Sequence, residues 1–175
     1  MVTSTEQADE AHRRRHPLAR VPVLDDGEGP VFESAAICLH LADLHADSGL
    51  VPPTGSHDRA LVYQWAFFAM TELESPLADV SYGTDAGDGR GGDVHYPQPG
   101  GEQVAAATAR FHAAAQVIEL ALGDDDYLVA NRFGVADVLV GSVLAWADDV
   151  GLVDDDHPAL AGYLTRLRAR PAYAY

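Results

Sequence analysis

The run RVPVLDDGEGPVFESAAICLHLADL, Arg20 to Leu44, constrains the fold more than any other part of the chain. It reads as strand, turn, strand, helix. Val21 to Leu24 is a short apolar run, and Asp25-Asp26-Gly27 and Gly29-Pro30 are turn formers. Val31-Phe32 makes a second short strand. Ser34 is placed to cap a helix on which Ile37, Leu41 and Leu44 share one face.

The start of that helix is the first candidate for chemistry. A helix N-terminus offers free backbone N–H groups and a partial positive charge. A ligand carboxylate fits there, with the Ser34 hydroxyl as one more donor. Glu33, just before it, can accept from a ligand ammonium. The plainer reading of the same pair is a helix cap and a solvated acid.

Charge and composition exclude several classes. A net charge of −16 argues against nucleic acid and against an anionic membrane surface. Residues 1–20 carry +1 and the remainder −17, so the one basic patch, Arg13–Arg15, lies just before the candidate anion site. It reads as a solvated helix end. All 11 basic residues are Arg, which excludes a Schiff-base, pyridoxal-phosphate or P-loop lysine. No run of about 18 apolar residues predicts a membrane span. The polar N-terminus lacks the apolar core of a secretory signal, so a cytoplasmic location is expected. The single Cys38 cannot form an internal disulfide or a thiolate zinc site, and reads as a small buried hydrophobe. The histidines show no H-x3-H pair with an acid partner, so no metal site is expected.

The rest of the chain reads as helix. Glu6 to Arg15 makes a short helix that stops before His16-Pro17. Ser48-Gly49-Leu50-Val51-Pro52-Pro53 is a stop and linker, which places a domain boundary between residues 48 and 49. A helix runs from near Ser56 to about Asp79, with Leu61, Trp65 and Phe68 on one stripe and Val62, Ala69 and Leu73 beside it. Tyr82 to Gly101 is loop. Its Gly87–Gly92 segment matches G-x-G-x-x-G by letters, but no strand precedes it, so no dinucleotide site is expected. Asp85, Asp88 and Asp93 read as solvated acids rather than a calcium site. From Gly101 to Gly123, Val104, Thr108, Phe111, Ala115, Ile118 and Leu122 form the seam of a helix bundle. A further helix, Val135 to about Asp148, is apolar nearly all round. It is expected at the bundle centre with Leu139, Val143 and Trp146 buried. Asp137 follows Gly134 by three, which is half of a capping box, with Gly at a cost of only a few tenths of a kcal/mol in place of Ser. His157 to Arg170 is the last long helix.

The Val-Pro hairpin, the Glu-Ser helix start, the Asp137 helix entry and the closing Arg170-Pro171, in that order, resemble the glutathione S-transferase family. His16-Pro17-Leu18-Ala19-Arg20 is similar to that family's Asn-Pro-Leu-Gly-Lys/Arg run. The resemblance implies a mainly α protein. Residues 1–48 would be a truncated thioredoxin-like α/β domain and residues 49–175 an all-helical bundle. It implies a cis bond at Pro22, a Val21 backbone that holds the cysteinyl part of glutathione, and Glu33 and Ser34 on its γ-glutamyl end. Glutathione would be a co-substrate, the partner a small-molecule electrophile, and the protein a homodimer.

In the family a first strand, helix and strand would precede residue 1. They carry the Tyr, Ser or Cys that lowers the thiol pKa, so no catalytic residue is carried over to this chain. The function expected is that of a glutathione transferase-like protein, which conjugates the thiol to an electrophile if that segment is supplied. The alternatives are a non-catalytic binding domain, or a transferase that uses another low-molecular-weight thiol.

Overall fold

A computed structural model describes residues 9–84, 99–153 and 157–174. The glycine-rich letters of Gly87–Gly92 and the acids Asp85, Asp88 and Asp93 lie outside the described residues. The chain is mainly α, with a small thioredoxin-like α/β part leading into a helical bundle.

The α/β part opens with helix α1, Glu10–Arg15, capped by Asp9, whose side chain accepts from the Ala11 N–H. Strands β1 (Val23–Asp25) and β2 (Pro30–Phe32) follow, antiparallel, with Leu24 opposite Val31. The strands are shifted from the expected Val21–Leu24 and Val31–Phe32, because Val21 lies in a bend before β1. Two buried histidines fix α1 to the hairpin. His12 Nε2 donates to the Arg20 carbonyl at 2.8 Å, and the His16 ring lies 4.8 Å from that of Phe32. Within the turn, Asp25 and Asp26 accept from the N–H groups of Gly27 and Glu28, which are local side-chain turns. Asp26 also pairs with His40 at 2.8 Å.

Helix α2, Ser34–Leu44, buries a different face from the one expected. Ile37 is buried, but Leu41 and Leu44 are exposed, Leu44 to 59%. The packed stripe is Ala35, Cys38, Leu39 and Ala42, spaced i, i+3, i+4, i+7. Small residues let α2 approach the central helix closely, and that approach decides the face. Burial also pushes the Cys38 thiol above its ordinary pKa.

The bundle is built from α3 (His57–Phe68), α4 (Ser75–Thr84), α5 (Gly101–Leu122), α6 (Val135–Asp149) and α7 (Pro158–Arg168). Ser56 caps α3, its hydroxyl accepting from the Arg59 N–H at 3.1 Å. The single helix expected from Ser56 to Asp79 is interrupted by a π turn, Ala69–Glu74. Pro76 supplies the reason: it has no N–H to give the carbonyl four residues back, so the ladder widens before it. On α5, Phe111, Ala115, Ile118 and Leu122 are buried as expected. On α6, Leu139 and Val143 are buried, whereas Trp146 is half-buried with its ring 6.3 Å from that of Tyr82, and Val138 is exposed. The apolar circumference of α6 is therefore not fully enclosed. Gly141 sits where a Cβ would stand 2.3 Å from a Leu167 methyl, so its lack of a side chain lets α7 pack close.

Two polar contacts lock the bundle from a distance in sequence. The Glu119 carboxylate of α5 accepts from the Ala159 and Leu160 N–H groups at 2.8 and 3.1 Å, capping α7 from another helix. The buried Arg59 guanidinium forms a bidentate pair with Asp43 of α2 at 2.7 and 2.8 Å and donates to the Pro52 carbonyl. Among the described residues, no helix is long and apolar enough to cross a membrane.

Candidate functional site

The four residues singled out from the sequence fall at the bend before β1 and at the junction of β2 and α2. The Val21–Pro22 peptide is cis. Val21 is exposed, and its main-chain N–H and C=O have no hydrogen-bond partner among the described residues. They are free to meet another extended backbone.

Glu33 is the residue before α2, and Ser34 is its first helical residue. This corrects the expectation that Ser34 caps the helix: the cap position is Glu33, and among the described residues no side chain bonds the first-turn N–H groups. Glu33 has φ 76°, a left-handed conformation that a glutamate rarely adopts. Such strain, of order 1 kcal/mol or more, persists where the surroundings impose it and is common at ligand clamps. The side chain of Glu33 is exposed, and the half-buried Ser34 hydroxyl has no partner among the described residues. An open helix N-terminus with an unused hydroxyl and an adjacent carboxylate can hold a zwitterionic amino-acid end.

The π turn brings in a group that the sequence did not single out. Glu74, half-buried at its end, has its carboxyl pushed above the ordinary value of 4.5, first by burial and then by the charge of Glu33. Glu74 thus stands in the field of the candidate site. A raised native pKa contributes stability below the unfolded value and loses it as pH rises through the native one. Glu74→Gln is therefore expected to gain stability relative to the parent as pH rises through that range. Parallel denaturant titrations at several pH values check this, and a stability difference that shifts in the parent's favour with rising pH would contradict it.

The Asp137 corner is the second organised cluster, and it is structural. Asp137 is fully buried at the start of α6. Its Oδ2 accepts from the Gly134 N–H at 2.8 Å, and its Oδ1 accepts from the Leu128 N–H at 3.0 Å and the Tyr163 hydroxyl at 2.7 Å. Burial pushes its carboxyl pKa up, while these three donors pull it back. Burial first, and then the carboxylate, push the Tyr163 hydroxyl up as well. The half capping box was legible in the sequence; the donors from Leu128 and Tyr163 were not.

The hairpin, the cis bond, the open Glu33–Ser34 helix start and the bundle behind it define a thioredoxin-like unit joined to an all-helical domain. Two family models match. The glutathione S-transferase N-terminal domain covers residues 1–43 and the C-terminal domain residues 101–166. The chain belongs to the glutathione S-transferase family. It is 27% identical over 158 residues to glutathione S-transferase GstA of Escherichia coli O157:H7, covering 89% of this chain and 71% of that protein. It is 32% identical over 134 residues to elongation factor 1-gamma of Trypanosoma cruzi, covering 77% of this chain and 29% of the factor. The chain thus spans less than a third of that relative's length. A sphingomonad glutathione S-transferase solved with glutathione superposes with a TM-score of 0.81 at 26% identity, covering 99% of this chain and 81% of that one.

Proposed function

We propose that this chain binds glutathione at Val21, Pro22, Glu33 and Ser34, and acts in a glutathione transferase that conjugates the thiol to a small electrophile. In this reading residues 1–48 form the glutathione-binding part and residues 49–175 the helical domain. The observation that carries it is the α2 start: the Ser34 hydroxyl and the first-turn N–H groups are left open beside a strained, exposed Glu33. The γ-glutamyl carboxylate would take the Ser34 hydroxyl and the helix N–H groups, and its ammonium the Glu33 carboxylate. The cysteinyl backbone would pair with the open main chain of Val21. A second copy would cover the exposed Phe67 and Tyr63 on α3, giving a homodimer.

Calorimetric titration with glutathione tests the reading. Ser34→Ala and Glu33→Gln are each expected to weaken binding by about tenfold or more, since each leaves a ligand charge short of its partner. Unchanged affinity in both variants would move the site elsewhere.

A second reading, a domain that binds partners and catalyses nothing, draws support from the match to elongation factor 1-gamma. An assay with glutathione and an aryl halide, run on the chain joined to a family first strand, helix and strand, separates the two. Turnover favours the transferase, and binding without turnover favours the partner domain.

A further inference from the structure

A cavity of about 460 Å³ lies away from the α2 start, where the linker, the first turns of α3 and the entry to α6 meet. None of Val21, Pro22, Glu33 or Ser34 lines it. Its size suits one small molecule. Its floor is apolar, with Val62, Val129 and Phe133, and its walls carry Asp58, Arg59 and Arg132.

Two features of these walls are unexplained by the fold. Arg59 is only 4% exposed and is held by Asp43 and Pro52, yet its buried Nε has no acceptor. A buried N–H without a partner is costly and invites a ligand oxygen. Arg132 and Asp58 face the same cavity, and neither side chain has an ionic or hydrogen-bonding partner among the described residues. Arg132 is presented by a turn whose Ala130 and Asn131 both have φ 50°. Those angles close a two-residue turn, in which the Arg132 N–H donates to the Val129 carbonyl at 3.0 Å and the Asn131 side chain accepts from the Asp126 N–H, so the turn holds Arg132 at the cavity wall.

The charge pattern selects the ligand. Arg59 is already neutralised by Asp43, so among the described residues the cavity offers one free cation, one free anion and one orphaned donor above an apolar floor. A simple anion would meet Asp58, Asp43 and the net charge of −16. A simple cation would meet Arg132. We propose that this cavity is a second small-molecule site that takes a zwitterionic α-amino acid with an apolar side chain. Its carboxylate lies toward Arg132 and the Arg59 Nε, its ammonium toward Asp58, and its side chain on Val62, Val129 and Phe133. Bidentate guanidinium–carboxylate pairing is the strongest of these contacts.

The test is calorimetric titration of the full chain with leucine, phenylalanine, 4-methylpentanoate, 3-methylbutylamine and glutathione. Arg132→Gln and Asp58→Asn are run beside the parent, with thermal melts to confirm that both fold. Leucine or phenylalanine is expected to bind. Each leucine analogue, having lost one charge, should bind about tenfold more weakly or worse, as should leucine on each variant. Glutathione affinity should be unchanged in both variants, which separates this site from the one at Glu33 and Ser34. No heat from either amino acid at about 10 mM would overturn the proposal. So would an analogue that binds as well as leucine, variants that bind leucine normally, or variants that lose glutathione.

Discussion

Asp137→Ala is expected to destabilise the fold by about 3–5 kcal/mol, far more than the loss of an ordinary helix cap at about 1 kcal/mol. The carboxylate serves three donors at once: the buried Leu128 N–H and Tyr163 hydroxyl and the half-buried Gly134 N–H. Alanine strands the two buried donors and leaves the Gly134 N–H without its partner. In a chain of this size each kcal/mol moves the melting midpoint by about 2–4 °C, so a fall of roughly 10 °C is expected. Asp137→Asn should recover only part of it, because its amide nitrogen would face a donor. Tyr163→Phe, which removes one of the donors, should cost about 1 kcal/mol. Thermal and urea melts of the three variants check the series. A loss below about 1 kcal/mol for the alanine variant would reduce Asp137 to a surface cap.

Gly134→Ser runs against the usual rule. Serine is a favoured cap residue and on propensity alone should add a few tenths of a kcal/mol. The linker forbids it. A Cβ at Gly134 would stand 2.8 Å from the Leu50 carbonyl oxygen, and that oxygen accepts from the Val135 N–H at 2.9 Å. The obstacle is backbone, held by its own hydrogen bond, so it cannot swing aside. The substitution is expected to cost about 1–3 kcal/mol through overpacking, read from urea melts. A serine variant as stable as the parent would show that the linker yields.

That glycine also marks where the sequence stopped being informative. The absence of a hydroxyl at residue 134 was visible as a departure from the capping pattern. Its cause, the carbonyl of a residue in a distant linker, was not. The same boundary recurs along the chain. The α5 stripe through Phe111, Ala115, Ile118 and Leu122 was legible, because a long helix in a bundle must bury a periodic face. The face of α2 was misread, because Leu41 and Leu44 weigh more on any hydrophobicity scale than Ala35 and Ala42. Contact distance to α6, which no local pattern encodes, favoured the small residues. Trp146 reads as core from its type, but it sits at the rim against Tyr82. Of the candidate site, Val21, Pro22, Glu33 and Ser34 came from a contiguous motif. Glu74 enters through a π turn that is itself a consequence of Pro76, and the Arg59–Arg132–Asp58 cavity joins three separate segments.

The Arg59–Asp43 pair has a consequence for how the molecule comes apart. Asp43 belongs to the helix behind the hairpin and Arg59 to the first helix of the bundle. Separating the two would strand a buried guanidinium without its carboxylate, and the linker between them is tied down again where Leu50 meets Val135. Opening of the small α/β part is thereby coupled to opening of the bundle. The amides of the hairpin and of α2 are therefore expected to draw their protection from the larger unit, and to exchange with solvent at the pace of the whole chain rather than of a marginal two-stranded ribbon.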